Sequence, residues 1–590
     1  MSKILIYDFE VFKYDVLMGV KELNDDGGIR YRLWGKEAIE NFYYEHMEDI
    51  WVGHNNYGYD DLILQCIIKG GNPYVKSQEI IKGNCKYEKC NIQLYSYDNM
   101  GEQSYSLKLS ELLVGKNIHE TDVDFDLDRP LTEEEKKLTE SYNDDDIDQT
   151  EYNFNMFINN FQLKIDMMKE FDLDFTTVMH ASGTSLAAMI LGARKNPDVV
   201  SVKYDMPYLK PLVVKDTELL NWYYNEDFRN GITLNREFGG CQVNIASGGA
   251  HGAINNAYFE RALYFDVSGY YNLIMINYNL FSRSMPDKAK ERYTYMYHEQ
   301  LKMKKTNPRK RAVFKTVLLS VYGAQMNEHT DFYDPWKGPI VPVTGELFLV
   351  DLMEHLDGLI NVIQYNTDGI IVEPKNWDDE QKIISIVEEW ETRTGFVIKK
   401  DHIYNIWQRD VNNYMYFADK EKTDLHYVGY TNYDISDKGY ASGKLFGSKE
   451  APIIAKGVID TLMYGKTPEQ IVEENKHDLR YFQYACRKVS AEYMTYNGEK
   501  VQSVCRAFAL RKDKGTGVLG KWTRVKKPTK SLKVGDLKYS KYPAIPENTF
   551  IYNNDIRTEE AISEINDKID YEWYIDKIYD ALAKFVGAKK

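Results

Sequence analysis

The chain contains no stretch that approaches the roughly 18 to 20 consecutive apolar residues needed to span a bilayer, so no membrane partner or membrane-spanning segment is expected. Cysteine is sparse and scattered: Cys66, Cys85, Cys90, Cys241, Cys486 and Cys505. Cys85 and Cys90 are the one close pair, with no second pair to complete a zinc site, and reduced thiols are the expectation. Met1-Ser2-Lys3-Ile4 runs straight into a strand-like segment without the apolar region and small-residue cleavage site of a secretory signal; the expected compartment is the cytoplasm. An excess of positive charge is also missing. The formal net charge of -16 argues, on a whole-chain average, against a partner made of phosphates.

The local distribution of charge reverses that average. Lys302, Lys304, Lys305, Arg309, Lys310, Arg311 and Lys315 occur with no acid between them. A second run holds Arg506, Arg511, Lys512, Lys514, Lys521, Arg524, Lys526, Lys527, Lys530, Lys533, Lys538 and Lys541 against only Asp513 and Asp536. Either run could be a solvated face, but an acidic body with two basic surfaces suits a protein that holds nucleic acid in a groove. The 590 residues exceed what one core supports, and 43% hydrophobic with 28% charged residues is an ordinary globular composition. A multidomain enzyme of about two to four domains is expected.

Three N-terminal segments carry carboxylates in a suggestive order. Lys3-Ile-Leu-Ile-Tyr-Asp-Phe-Glu10 reads as a buried strand whose Asp8 and Glu10, two apart, share a face and attract divalent metal. Gly53-His-Asn-Asn-Tyr-Gly-Tyr-Asp60-Asp61 precedes an apolar helix, where Asp60 could equally be a cap. Leu131-Thr132-Glu-Glu-Glu135 signals a helix start, and Tyr142 and Asp146 follow on that helix at i and i+4, on one face.

Three further segments lie in the middle of the chain. Ala262-Leu-Tyr-Phe-Asp266-Val267 is an apolar strand ending on an acid, followed by a second apolar run containing Tyr271. Pro308 opens a helix on which Arg311, Lys315, Leu319 and Tyr322 form one stripe. Leu359 to Glu373 reads as a hairpin that presents Asp368 at its tip, after Asn366 and Thr367.

Taken together and in this order, the segments resemble the motifs of family B DNA polymerases that carry a 3′–5′ proofreading exonuclease, of the kind bacteriophages encode. The exonuclease pattern Asp-x-Glu, Asn-x-x-aromatic-Asp and Tyr-x-x-x-Asp falls on Asp8, Glu10, Asp60, Tyr142 and Asp146, with Asp61 a rival to Asp60. The polymerase patterns fall on Asp266 and Tyr271, on Lys315, Ser320, Tyr322 and Gly323, and on Asp368. The family A pattern sets its Lys and Tyr one residue further apart and fits less well. The chain departs from the family at Asn272, Leu319, Asn366 and Asn412, and Ala246-Ser-Gly248-Gly249 lacks the leading Tyr of the family's Gly-Gly element.

The resemblance implies an α/β and α+β multidomain fold: an RNase H-like exonuclease domain over 1–195, a linker and first part of the palm over 196–283, fingers over 284–324, the second part of the palm over 325–430 and a helix-rich thumb over 431–590. It implies two Mg²⁺ ions, or Mn²⁺, in each active site, on Asp8, Glu10, Asp60 and Asp146 in one and on Asp266, Asp368 and the Val267 carbonyl in the other. Tyr142 would orient the attacking water. Arg311 and Lys315 would hold the incoming dNTP, Tyr271 would exclude a ribose 2′-OH, and Tyr322 would stack on the nascent base pair. Primer-template DNA would meet Gly248, Gly249, Arg409, Tyr414, Lys521, Arg524, Lys526 and Lys527.

The expected activity is therefore template-directed DNA synthesis with 3′–5′ proofreading in phage genome replication, in the host cytoplasm. The short intervals Asp266–Lys315 and Gly323–Asp368 leave no room for the insertions of protein-primed phage polymerases. Ordinary primers are expected, with a processivity factor, a helicase or a single-strand binding protein as accessory partners. Asn366 and Leu319 keep a rival open, an exonuclease with a degenerate polymerase site, and a non-catalytic nucleic-acid scaffold is a second rival.

Overall fold

The computed structural model describes residues 2–23, 28–86, 88–103, 105–121, 123–199, 210–223, 231, 233–246, 248–429, 434–436, 439, 450–527 and 532–586, to which every count and absence below refers. Ser247, Lys530 and the expected boundary at 431 lie outside them. The chain forms two compact units: Met1–Lys164 with Asp174–His180 and Asn432–Ala581, and Ile165–Leu173 with Ala181–Thr431 and Leu582–Lys590. The fold is mixed α/β with several sheets. No helix is long and apolar enough to cross a membrane.

The first unit is built on a mixed sheet of β1 (Ile4–Val11), β2 (Val16–Glu22), β3 (Ile29–Trp34), β4 (Ile50–Gly53) and β5 (Tyr95–Asp98), in the order β3-β2-β1-β4-β5. β4 runs parallel to β1 and to β5, and the other pairs are antiparallel. Leu5, Tyr7, Phe9 and Val11 of β1 pack into one core with Ile39, Trp51, Ile63 and Ile67. Side chains alternate across a strand, so Asp8 and Glu10 face the other side. There the helix Glu133–Met156 lies against β1 and β2. It starts as its sequence indicates: the Thr132 side chain accepts from the Glu135 N–H and the Glu135 carboxylate accepts from Thr132, a capping box. Gly19 of β2 sets how close this helix comes, because a Cβ there would sit 1.7 Å from Asn143 Oδ1 and 2.7 Å from Ile147 Cδ1.

The second unit holds an antiparallel sheet of β6 (Leu234–Phe238), β7 (Cys241–Ala246), β8 (Gly249–Ala253), β9 (Ala257–Val267), β10 (Ile360–Asn366), β11 (Gly369–Pro374), β12 (Ile398–Asp410), β13 (Asn413–Phe417) and β14 (Leu425–Val428), in the order β14-β13-β12-β9-β11-β10-β8-β7-β6. The expected hairpin is β10–β11, where Asn366 pairs with Gly369 and leaves Thr367-Asp368 as a two-residue turn. Phe348, Trp390 and Phe396 form an aromatic cluster under the sheet. Helices Asp287–Lys302 and Pro308–Gln325 pack on each other. The latter opens with Asn307 accepting from the Lys310 N–H at 3.1 Å and Pro308 in its first turn.

The C-terminal part of the first unit departs from the helix-rich expectation. Helices Pro452–Tyr464, Pro468–Asn475 and Glu559–Ile565, and the helix Tyr571–Val586 as far as Ala581, accompany two sheets. These are β15 (Tyr484–Arg487), β18 (Val504–Ala509) and β21 (Thr549–Ile551), and β16 (Tyr493–Tyr496), β17 (Glu499–Val501), β19 (Leu519–Arg524) and β20 (Leu537–Lys541). The physical cause is visible in the sequence: aromatic and small residues alternate in short runs, broken by Gly498, Gly515 and Gly535 at positive φ. The basic stretch is correspondingly less of a surface than its composition suggested. Arg506 is fully buried in β18, donating to the carbonyls of Leu112, Lys116, Tyr552 and Asn554 and to Gln483 Oε1, and burial lowers its pKa to about 9.

Candidate active sites

The first unit gathers most of its expected residues into one cleft. One carboxylate oxygen from each of Asp8, Glu10 and Asp146 lies within 4.8 Å of the others. Asp60 and Tyr142 line the same cleft, about 330 Å³ in volume, together with His54 and Phe125. Asp60 is the first residue of its helix and caps nothing; its Oδ1 accepts the Phe9 N–H at 3.2 Å, between the two acids of β1. The neighbouring Asp61 points elsewhere and is saturated, accepting from the Tyr7 hydroxyl, from Asn56 Nδ2 at 3.0 Å and from Ser96 Oγ at 2.7 Å. The two neighbouring acids therefore have different surroundings, Asp60 at the cleft and Asp61 among three donors.

Burial raises the pKa of all four acids of this cleft, and the negative neighbours of Asp8, Glu10 and Asp60 raise theirs further. Asp60 reaches about 8, through burial and then the charge of Asp61. Sequence reasoning overlooked two residues that moderate this repulsion. Lys108 Nζ donates to Asp146 at 2.9 Å, lies 3.2 Å from Glu111 and sits 4.5 Å above the Tyr142 ring. Asn143 Nδ2 donates to Asp8 Oδ2 at 2.9 Å. Asn143 stands one residue after Tyr142 on the signalled helix, whereas nothing in Leu107-Lys108-Leu109 marks that lysine as other than a solvated charge.

The second unit brings Asp266, on β9, beside Asp368, in the turn between β10 and β11. β9 pairs with β11 so that Asp266 faces Gly369, and the Val267 N–H donates to the Asp368 carbonyl at 2.8 Å. Gly369 is required by that approach, since a Cβ would meet the Phe265 carbonyl at 2.8 Å. Burial raises the pKa of both acids, and the charge of Asp368 raises that of Asp266 further, opposed by Lys399. The Gly248-Gly249 turn packs against this point: a Cβ on Gly249 would lie 2.6 Å from Thr367 Oγ1. His251, absent from the expected set, is exposed, 3.0 Å from the same hydroxyl and within the electrostatic reach of Asp368.

Around these acids the remaining residues divide. Tyr271 stacks on Tyr322, ring centres 4.1 Å apart and planes at 22°. Arg311 and Lys315 lie on the Pro308–Gln325 helix, whose Val313, Phe314, Val317 and Leu318 are buried; Arg311 is half-buried, Lys315 is exposed, and Leu319 is 63% exposed. Neither cation has a carboxylate partner among the described residues, and Arg311 Nε is buried without an acceptor. Tyr414 is buried, bonded to Gln364 and within the electrostatic reach of Asp368 and Asp266. Arg409 lies 3.5 Å from its neighbour Asp410. In the first unit Arg524 is paired with Glu492 at 2.7 Å, Lys521 is half-buried, and Lys526 and Lys527 are exposed. The buried Glu346, also outside the expected set, accepts from the Tyr223 hydroxyl at 2.5 Å and from the Gly249 N–H, and its pKa rises to about 8 by burial.

The chemistry of the donors fits divalent cations. In the first cleft the buried Glu10, Asp60 and Asp146 and the half-buried Asp8 face one lysine, a concentration of hard oxygen ligands and unbalanced charge that suits Mg²⁺ or Mn²⁺ rather than zinc. Asp266 and Asp368 offer the same donor type.

No protein-family model and no curated protein matches this chain. Among solved structures, it is similar to the family B DNA polymerase from the hyperthermophilic archaeon Pyrobaculum calidifontis, at 16% sequence identity and a TM-score of 0.45, covering 100% of this chain and 78% of that one.

Proposed function

We propose that the chain is a DNA polymerase with its own 3′–5′ proofreading exonuclease, of the family B and bacteriophage type, using ordinary primers. The observation that carries this reading is the pair of separate carboxylate centres, Asp8, Glu10 and Asp146 in one unit and Asp266 with Asp368 in the other. In this reading the first unit's mixed sheet is an RNase H-like exonuclease, the second unit contains palm and fingers, and residues after 431 form the thumb.

Divalent cations held by Asp8, Glu10, Asp60 and Asp146, and by Asp266 and Asp368 with the Val267 carbonyl, would supply an acidified water or primer hydroxyl and neutralise charge on the leaving oxygen. For excision, the Tyr142 hydroxyl, bonded to Asp146, orients the water that attacks the terminal phosphodiester. Lys108, donating to Asp146, opposes the rise that burial gives the pKa of this acid. For synthesis, Arg311 and Lys315 grip the triphosphate as pyrophosphate departs, preorganised cations being most effective where charge develops. Tyr271, fixed against Tyr322, walls the sugar pocket against a 2′-OH, and the Gly248-Gly249 turn lets the template backbone pass beside Thr367. Tyr414 supports the primer end, and Lys526 and Lys527 meet duplex phosphates without sequence preference.

The test is a labelled primer-template with Mg²⁺. Asp266→Ala should abolish extension and leave degradation intact, and Asp8→Ala with Glu10→Ala should do the reverse. Asn366 beside Asp368 and the exposed Leu319 favour the second reading, a nuclease whose polymerase site has lapsed. Primers that shorten without dNTPs but never lengthen with them would establish that reading instead. A scaffold without catalysis would leave both variants indistinguishable from the parent.

A further inference from the structure

The second unit buries Asp334, Glu346 and Asp351 outside its metal pair. Arg283 pairs with Asp334 at 2.7 Å, and Arg393 pairs with Asp351 at 2.6 Å. Glu346, only 1% exposed, has no such cation among the described residues. Its Oε2 accepts from the Tyr223 hydroxyl at 2.5 Å, the Gly249 N–H faces the same group, and its Oε1 is buried without a donor. An apolar side chain of similar size would be the more stable choice in this apolar helix, so stability alone does not account for an acid here.

Its place in the fold does. The helix Lys337–Leu356 packs against the helix Tyr270–Asn277 at Gly345, where a Cβ would lie 3.1 Å from the Tyr270 ring and where the Tyr270 hydroxyl donates to the Gly345 carbonyl at 2.6 Å. One residue further on, Glu346 acts electrostatically on Tyr271 of the first helix and on Tyr322 of the Pro308–Gln325 helix. Those two rings stack, and their hydroxyls are hydrogen-bonded to each other. Glu346 also acts on Tyr365 of β10, three residues before Asp368, whose buried hydroxyl likewise has no partner. Gly249 brings in the turn that packs on Thr367.

A gate that refuses one extra oxygen must hold its ring to a fraction of an ångström. Side chains keep such tolerances when buried hydrogen bonds lock the groups that support them. Tyr271 and Tyr322 are half-buried, and Glu346 is the buried group that this ring pair shares with the Gly249 turn.

We propose that Glu346 is a positioning residue for sugar selection: its carboxyl, bonded to Tyr223 and facing the Gly249 N–H, holds the Tyr271–Tyr322 gate and the Gly248-Gly249 turn at the one spacing that excludes a ribose 2′-OH. The proposal rests on the polymerase reading of Asp266 and Asp368, and the following experiment separates the two.

Single-nucleotide extension of a primer-template by the full chain is measured with dNTP and with rNTP at pH 7. Glu346→Met removes the acceptor and keeps the bulk. It should narrow the ratio of kcat/KM for dNTP to that for rNTP about tenfold, the scale of one buried hydrogen bond, chiefly by lowering KM for the ribonucleotide. Glu346→Gln keeps an acceptor oxygen and should keep the parent ratio. Excision, carried by the other unit, should not change in either variant. A parent ratio in Glu346→Met, an equal narrowing in Glu346→Gln, or a fall in excision that matches the fall in extension would overturn the proposal.

Tyr223→Phe deletes only the donor to Oε2 and is the milder second variant. The ratio should narrow in the same direction, and a parent ratio there would overturn the proposal even where Glu346→Met does not fold. If the parent extends no primer, the polymerase reading fails, and retention of a primer-template by the chain in Ca²⁺ with the next correct dNTP or rNTP decides the role of Glu346. A preference for dNTP in the parent that Glu346→Met loses would uphold it; a preference absent from the parent, or kept by the variant, would overturn it.

Discussion

At the scale of single residues, Asp60 and Asp61 differ in surroundings that no sequence pattern shows. Both begin the same helix and both are buried, so composition and periodicity treat them alike. They differ in partners brought from β1, from β5 and from Asn56 in the turn before the helix. Asp60 opens into the carboxylate cleft, while Asp61 is consumed by Tyr7, Asn56 and Ser96. Asp60→Asn keeps an oxygen for the Phe9 N–H and removes a charge that burial disfavours, so the melting temperature should hold or rise. Excision should nevertheless fall by more than the about 10- to 100-fold typical of losing an outer partner of a metal ligand. Asp61→Asn places an amide among three donors and should destabilise by about 1–3 kcal/mol while retaining excision on the folded fraction. Melting curves and excision rates on the two variants check the assignment; loss of excision in the folded Asp61→Asn protein would reverse it.

Glu346 was illegible for a different reason: an acid in the apolar helix Lys337–Leu356 carries no motif, and its partners Tyr223 and Gly249 lie far away in sequence. Its pKa is raised from 4.5 to about 8. The folded state therefore binds the proton more tightly than the unfolded state does, and stability present below about pH 4.5 is lost as pH rises through about 8. Glu346→Gln stays neutral throughout and escapes that loss. The variant's melting temperature relative to the parent should climb between pH 5 and about pH 9 in a thermal series. Parallel curves would show that the carboxyl is ionised in the folded protein already at the acid end.

At the scale of elements, the sequence was most informative where local chemistry fixes geometry. The Thr132–Glu135 capping box, the Asn366–Gly369 turn and the Pro308 helix start are all present as their residues demand. The β-rich segment from Tyr484 to Ile551 was missed because its strands are short, and charged residues in it, Arg506 above all, are satisfied by distant carbonyls that no local pattern reveals. Gly19 is the least conspicuous element-level determinant. Its missing side chain admits the Glu133–Met156 helix close to β1 and β2, which places Asn143 on Asp8 and Asp146 beside Glu10. Gly19→Ala should force that helix outward. Overpacking of this kind destabilises by about 1–3 kcal/mol, and excision should fall even where the protein remains folded, with primer extension unchanged. The check is the ratio of excision to extension, which a purely global loss of stability would leave constant.

At the scale of the whole molecule, an acidic chain with a carboxylate centre in each unit has a charge problem in both that divalent cations relieve. Asp8, Glu10, Asp60 and Asp146 all have raised pKa values without a metal, Asp60 at about 8. Their contribution to stability is therefore intact below the ordinary carboxylate range and declines as pH rises towards about 8. A cation that binds only the folded form reverses this decline, and its own affinity grows with pH because fewer protons compete for the same oxygens. In calorimetry with chelator, the transition of the first unit should move down between pH 6 and pH 8, and millimolar Mg²⁺ should raise it more at pH 8 than at pH 6. Asp8→Ala with Glu10→Ala should remove most of that Mg²⁺ shift and leave the response from Asp266 and Asp368 in place. The two units have separate cores, so more than one transition is expected and each can be followed by itself. A Mg²⁺ shift that is the same at both pH values, or that survives the double substitution unchanged, would mean that the cleft acids are not the ligands and that their crowding is relieved by Lys108 alone.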